Sequence, residues 1–189
     1  MIGKGKSISH GVAALEYDLA KEINGQAVAT EIARHELYGC TGAEMVQEMK
    51  PYHIDFPNVK NNCLRFEVSP SIEESATFTD ADWAELGNDF MQRMGLANHQ
   101  YIIIRHSGTE SKKEQAHLHI LANRVSLSGE LYRDNWIGKK ATEAANAIAK
   151  ERNFVQSQDI GKVNKAEIKE AMDGVLLSLI HISEPTRLR

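Results

Sequence analysis

In the stretch "EQAHLHILANRV", His117 and His119 are separated by a single leucine, in a chain with only 8 histidines among 189 residues. Alternate residues of a β-strand share a face, so a strand here puts both imidazoles on one side and Leu118 and Ile120 on the other. Two imidazoles so placed can reach one ion. Imidazole is a ligand for several divalent metals, and a third donor is at hand. His106 ends the β-branched run "QYIIIRH", and the residues from Ser107 to Gln115 lead back into the histidine strand. If the two strands are antiparallel neighbours, the three imidazoles converge at one rim of the sheet. Three histidines leave coordination positions open for a substrate, which suits catalysis better than structural support. The plain alternative is a histidine pair decorating a solvated sheet face.

The elements that must hold these residues can be read from spacing. "ISHGVAALEYDLAKEI" has Val12, Leu15, Leu19 and Ile23 at helical intervals, with Ser9 as N-cap and Gly25 after the stop. "TGAEMVQEM" begins with Thr41 and carries Glu44 three residues on, a capping-box pattern that ends before Pro51. "CLRFEVSP" alternates Leu64, Phe66 and Val68 with Arg65 and Glu67, which predicts a half-buried strand. Thr79 caps a helix whose Trp83, Leu86, Phe90 and Met94 form one apolar stripe ended by Gly95. "QYIIIRH" and "AHLHILANRVSL" are strands; Ser128-Gly129 is a turn into a return strand "ELYRDNW". "KKATEAANAIAKERNF" and "KAEIKEAMDGVLL" are helices. Strands and helices mix without a strict βαβ rhythm. The expected class is α+β, a mainly antiparallel β-sheet with packed helices.

Composition describes an ordinary globular chain, 42% hydrophobic and 25% charged. No apolar run approaches a membrane span, and "MIGKGKSISHG" lacks the apolar core of a signal peptide. Cys40 and Cys63 fit buried thiols in a reduced, cytoplasmic protein. A net charge of −4 argues against a general nucleic-acid binder but leaves room for a local basic groove. The segment "LSLIHISEPTR", from Leu177 to Arg187, resembles the in-frame translation of a sequencing adapter. Residues 1–176 are therefore expected to be the domain, cut short at its C-terminus, and residues 177–189 a scar.

Taken together, "YIIIRH", "HLHILANRV" and "LSGELYRDNW" resemble the third motif of plasmid and transposon mobilisation relaxases, MobP-like members of the HUH endonuclease superfamily. "GKSISHGVAALEYDLAKE" is similar to the family's N-terminal motif, in which a glycine and a serine precede a helix bearing a nucleophilic tyrosine. "FEVSP", the helix after Thr79 and "FMQRMGLANHQYIIIRH" follow in the same order, so the resemblance spans about residues 3–155. It implies an HUH-endonuclease palm, an RRM- or ferredoxin-like sheet, and a relaxase that nicks and rejoins single-stranded DNA at an origin of transfer. It further implies that Tyr17 attacks the scissile phosphate and that His106, His117 and His119 hold a divalent ion, Mg2+ or Mn2+. Accessory proteins of a relaxosome are the other implied partners. From the residues alone Tyr17 is one of 5 tyrosines; only the resemblance singles it out, with Tyr38 in reserve.

Lys4 and Lys6 beside the N-terminal glycines, and Asn123 and Arg124 late in the histidine strand, are candidates for holding DNA; solvated surface residues are the bland reading of all four. The family usually has an aspartate two residues after the first histidine. Gly108 stands there, and Glu110 is the nearest carboxylate that follows it. The loop between His106 and His117 is longer than usual, and so few residues precede the glycine-serine motif that the family's first strand is expected to be short or missing. A competing reading is a catalytically impaired module of the same fold that binds single-stranded DNA. The histidine strand has no aromatic residue of the kind that nonspecific strand binders stack on bases. An unrelated histidine-metal hydrolase is a third reading, but there is no HExxH motif.

Overall fold

A computed structural model describes residues 1–108 and 115–156, with single positions 159 and 169. The predicted helix "KAEIKEAMDGVLL", the adapter-like tail and Glu110 lie outside the described residues, position 169 apart. In chain order the elements are β1 (Ile2–Ile8), α1 (Gly11–Leu19), β2 (Glu22–Ile23), β3 (Gln26–Ala27), β4 (Ala29–His35) and α2 (Gly42–Met49). After a short 3-10 turn come β5 (Cys63–Ser69), α3 (Ile72–Ser75), α4 (Asp80–Arg93), β6 (His99–His106), β7 (His117–Ser126) and α5 (Ile137–Glu151).

Five strands form one sheet in the order β1-β5-β7-β6-β4, and every pairing in it is antiparallel. The α+β class is as expected. Both faces are covered. On one face Leu64, Phe66, Ile103, Leu118 and Ile120 pack with Trp83, Leu86 and Phe90 of α4 and the alanines of α5. On the other, Cys63, Ile102, Ile104 and Leu121 meet Leu15 of α1 and Met45 and Met49 of α2. Each large side chain buried this way contributes about 1.5–3 kcal/mol. β5 keeps the expected alternation, with Leu64, Phe66 and Val68 buried and Arg65 and Glu67 partly exposed between them.

The capping boxes form at Thr41–Glu44 and Thr79–Asp82. Four local expectations differ. β1 is a full edge strand of 7 residues, paired along its length with β5. Its glycines do not weaken it, because they admit α5: a Cβ on Gly3 would stand 2.4 Å from the Ala141 carbonyl oxygen. α1 begins at Gly11 after His10, without a side-chain cap, so Ser9 is not its N-cap. The helix stops at Leu19, and Ile23 belongs to a small hairpin turned by Asn24 and Gly25, both at positive φ. "ELYRDNW" makes only an isolated bridge, Val125 to Leu131.

Candidate active site

The antiparallel pairing of β6 with β7 sets His106 directly opposite His117, and His119 follows on the same face. Leu118 and Ile120 face the α4–α5 layer, as the alternation requires. One ring nitrogen from each of the three histidines lies within 4.8 Å of the others, and the His106 and His119 ring centres are 4.4 Å apart. The site is no open sheet face. His106 and His117 are buried, and the His119 side chain is 12% exposed, because α1 lies over the rim.

Two of the rings are oriented by main-chain carbonyls. His106 Nε2 donates to the Asp18 carbonyl at 2.7 Å, and His117 Nδ1 donates to the Gln115 carbonyl at 3.0 Å. Each bond leaves the other ring nitrogen with a free lone pair, as a metal ligand needs. His117 Nε2 and His119 Nε2 are 3.1 Å apart. That is close to the separation of two ligands each about 2.1 Å from one ion at a right angle. Burial pushes the His119 imidazolium down to about 2, with further lowering from His106, His117, Arg65 and Lys4. Burial also lowers His106, against the raising effect of its bond to Asp18. Three imidazole nitrogens gathered at one point are a donor set that fits a divalent cation.

Asp18 is the residue sequence reasoning missed. Its side chain is 2% exposed and forms a two-point ion pair with Arg65, at 2.5 Å and 3.0 Å. Arg65 in turn comes within 3.3 Å of His119 Nδ1. The buried residues of α1 are Gly11, Ala14, Leu15 and Asp18. This is the i, i+3, i+4, i+7 spacing of an inward stripe, and a carboxylate in its last place was the available signal. The expected stripe through Val12 is not the buried one; Val12 is exposed.

Tyr17, next to Asp18, is 56% exposed, and its hydroxyl accepts a hydrogen bond from Lys21 Nζ at 2.7 Å. The Lys21 ammonium also stands 4.9 Å from the ring centre. Lys4 and Lys6 project from β1 on the histidine side and line a pocket of about 190 Å³ together with Arg65, Glu67 and His119. Lys4 pairs with Glu67 at 3.0 Å.

Asn123 and Arg124 do not join this site. Asn123 has no exposed surface; its amide bonds to His53, Gln100 and the Val125 N–H, so it is a core polar residue. It also lies four residues, about 13 Å, along the strand from His119. The Arg124 guanidinium is spent on Tyr132, Asn61 and Asp134. Both side chains are engaged in intramolecular bonds away from the histidine cluster. Cys63 is a buried thiol raised to about 11, whereas Cys40 is exposed.

The family described as relaxase, MobA/VirD2-like, nuclease domain, matches residues 17–154. The chain belongs to that relaxase family. The match begins at Tyr17 and takes in all three histidines of this relaxase domain. No curated protein matches the chain. One solved structure, the conjugative relaxase TrwC in complex with oriT DNA, metal-bound, is similar at 13% identity over 85% of this chain and 61% of that one, with a TM-score of 0.32. The relaxase domain described here thus spans less than two thirds of that chain, and so loose a likeness adds nothing about the site. Among the described residues no helix is long and apolar enough to cross a membrane.

Proposed function

We propose that this relaxase domain nicks and rejoins single-stranded DNA at an origin of transfer, in plasmid or transposon mobilisation, through a 5′-phosphotyrosine at Tyr17. The observation that carries the reading is the clustering of three histidine nitrogens within 4.8 Å, tied through the Asp18 carbonyl to the helix that bears Tyr17.

His106, His117 and His119 would hold a divalent ion, magnesium or manganese, whose charge when bound offsets the negative charge building on a scissile phosphate. Of the two, manganese is the better match to an all-nitrogen donor set, since magnesium favours oxygen. The chain's own part is positional and electrostatic. The phenol oxygen of Tyr17 bonds to phosphorus while the bond from phosphorus to the 3′ oxygen breaks. The 3′ oxygen leaves as a hydroxyl, taking a proton, and the phenolic proton passes to the water that reaches this exposed ring. The Lys21 ammonium, 2.7 Å from the phenol oxygen, sets a positive charge beside the position the scissile phosphate would take. Because the phosphotyrosine ester exchanges one phosphodiester for another, attack by a 3′ hydroxyl reverses the step.

The test is covalent capture. A labelled single-stranded oligonucleotide carrying the cognate origin should become attached to the protein only when manganese or magnesium is present. A His117→Ala, His119→Ala double variant should keep its far-ultraviolet circular dichroism and lose the adduct. Tight binding with no adduct under any metal would instead support the DNA-binding module.

A further inference from the structure

Trp136 is 81% exposed, the most open large apolar side chain among the described residues. It stands just before α5 at φ 58 and ψ 28, the left-handed region, with no side-chain cap bond. A bulky residue is rare there, and such conformations cluster at functional sites. Packing does not account for the indole, since the buried anchor of the helix start is the next residue, Ile137.

Its surroundings are basic. Arg133 and Lys139 are exposed, and the Lys140 ammonium lies 5.0 Å from the Tyr132 ring centre. The acidic neighbours are engaged: Asp134 pairs with Arg124 at 2.6 Å, and Glu143 stands 3.8 Å from Lys139. The first turn of α5 also rests on β1. A Cβ on Gly138 would meet the Gly5 carbonyl oxygen at 3.5 Å, and Thr142 donates to the Gly3 carbonyl at 3.1 Å. Gly5 lies between Lys4 and Lys6 and lines the same pocket as His119. Since β1 is the edge of the sheet, only one strand edge separates the histidine pocket from the helix start beside Trp136.

We propose that Trp136 is a base-stacking platform for single-stranded DNA flanking the scissile phosphate, the phosphates following Lys4 and Lys6 round the β1 edge toward Lys139 and Arg133. This rests on the relaxase reading above. Stacking on an indole is tolerant of sequence, because every base offers a π-face. It also supplies the aromatic surface that the histidine strand lacks.

The chain has 2 tryptophans, and the other, Trp83, is buried, so emission reports Trp136 against a fixed background. Titration with an oligothymidylate of about twenty nucleotides should quench that emission and shield it from acrylamide. Trp136→Ala should weaken oligonucleotide binding about tenfold, while Trp136→Phe retains most of the affinity. Unchanged affinity in Trp136→Ala, or an indole still open to acrylamide in the complex, would overturn the platform. A flat titration, as for a surface reserved for a protein partner, would do the same. The covalent adduct separates this inference from the reading beneath it: an adduct without any Trp136 response removes the platform alone. A quench with no adduct leaves the platform and removes the cutting chemistry.

Discussion

His106 Nε2 donates to the main-chain carbonyl of Asp18 at 2.7 Å, so a strand-borne imidazole is fastened to the helix that carries Tyr17. The same Asp18 holds Arg65 with its carboxylate, and Arg65 touches His119. One residue thereby links two of the three histidines to the placement of α1.

Asp18→Ala leaves Arg65 with an unpaired charge in a mostly buried position. It should cost about 3 kcal/mol of stability in urea unfolding. Asp18→Asn keeps the shape and the main-chain carbonyl but drops the charge. Manganese affinity, measured calorimetrically, should then fall about tenfold, as for other groups that orient metal-binding histidines. Parental affinity in Asp18→Asn would detach its carboxylate from the site.

Stability should decline in mild acid. His99, His106 and His119 all have values lowered by burial from the ordinary 6.5. Each binds fewer protons folded than unfolded, so its contribution is full above the ordinary histidine range and is lost progressively as pH falls below it. The slope is up to about 1.4 kcal/mol per pH unit for each ring while the pH lies between its two values. Urea unfolding at about pH 7.5 and about pH 5.5 measures this. His99→Gln, away from the metal-ligand candidates, should reduce the slope by one ring's share; equal stability at the two pH values would contradict the account.

Much of the site was legible because period-two alternation is a strong signal. The Leu118–Ile120 face against the His117–His119 face, and the return from His106, followed from spacing alone, and so did the box at Thr41 and the cap at Thr79. The sheet's outer strands were not legible. β1 reads as glycine and lysine because its inner face must admit the α5 backbone, and β4 carries charge as an edge strand does. The spacing of Leu15, Leu19 and Ile23 carried the helix past its end, although Asn24-Gly25 marked a hairpin. Asn123 looked like a surface residue because sequence does not show the groups that surround its amide in the core, from His53, Met49, Gln100 and Val125.

Lys4 and Lys6 should contribute to DNA affinity through phosphates. Replacing both with alanine should weaken oligonucleotide binding and flatten its dependence on salt, by about 0.7 in log-log slope for each phosphate that is no longer neutralised. Glu67→Gln releases Lys4 from its 3.0 Å partner and should strengthen binding. An unaltered salt slope in the double variant would remove the β1 edge from the DNA path.

The most direct measurement is covalent attachment of a labelled origin oligonucleotide in the presence of manganese, compared between Tyr17→Phe and Tyr38→Phe. The Tyr38 hydroxyl donates to Glu36 at 3.1 Å, which holds it above the ordinary phenol range. Tyr17→Phe keeps the ring and should bind the oligonucleotide as the parent does while forming no adduct, and Tyr38→Phe should form it normally. An adduct that survives in Tyr17→Phe and vanishes in Tyr38→Phe would contradict the assignment of the nucleophile.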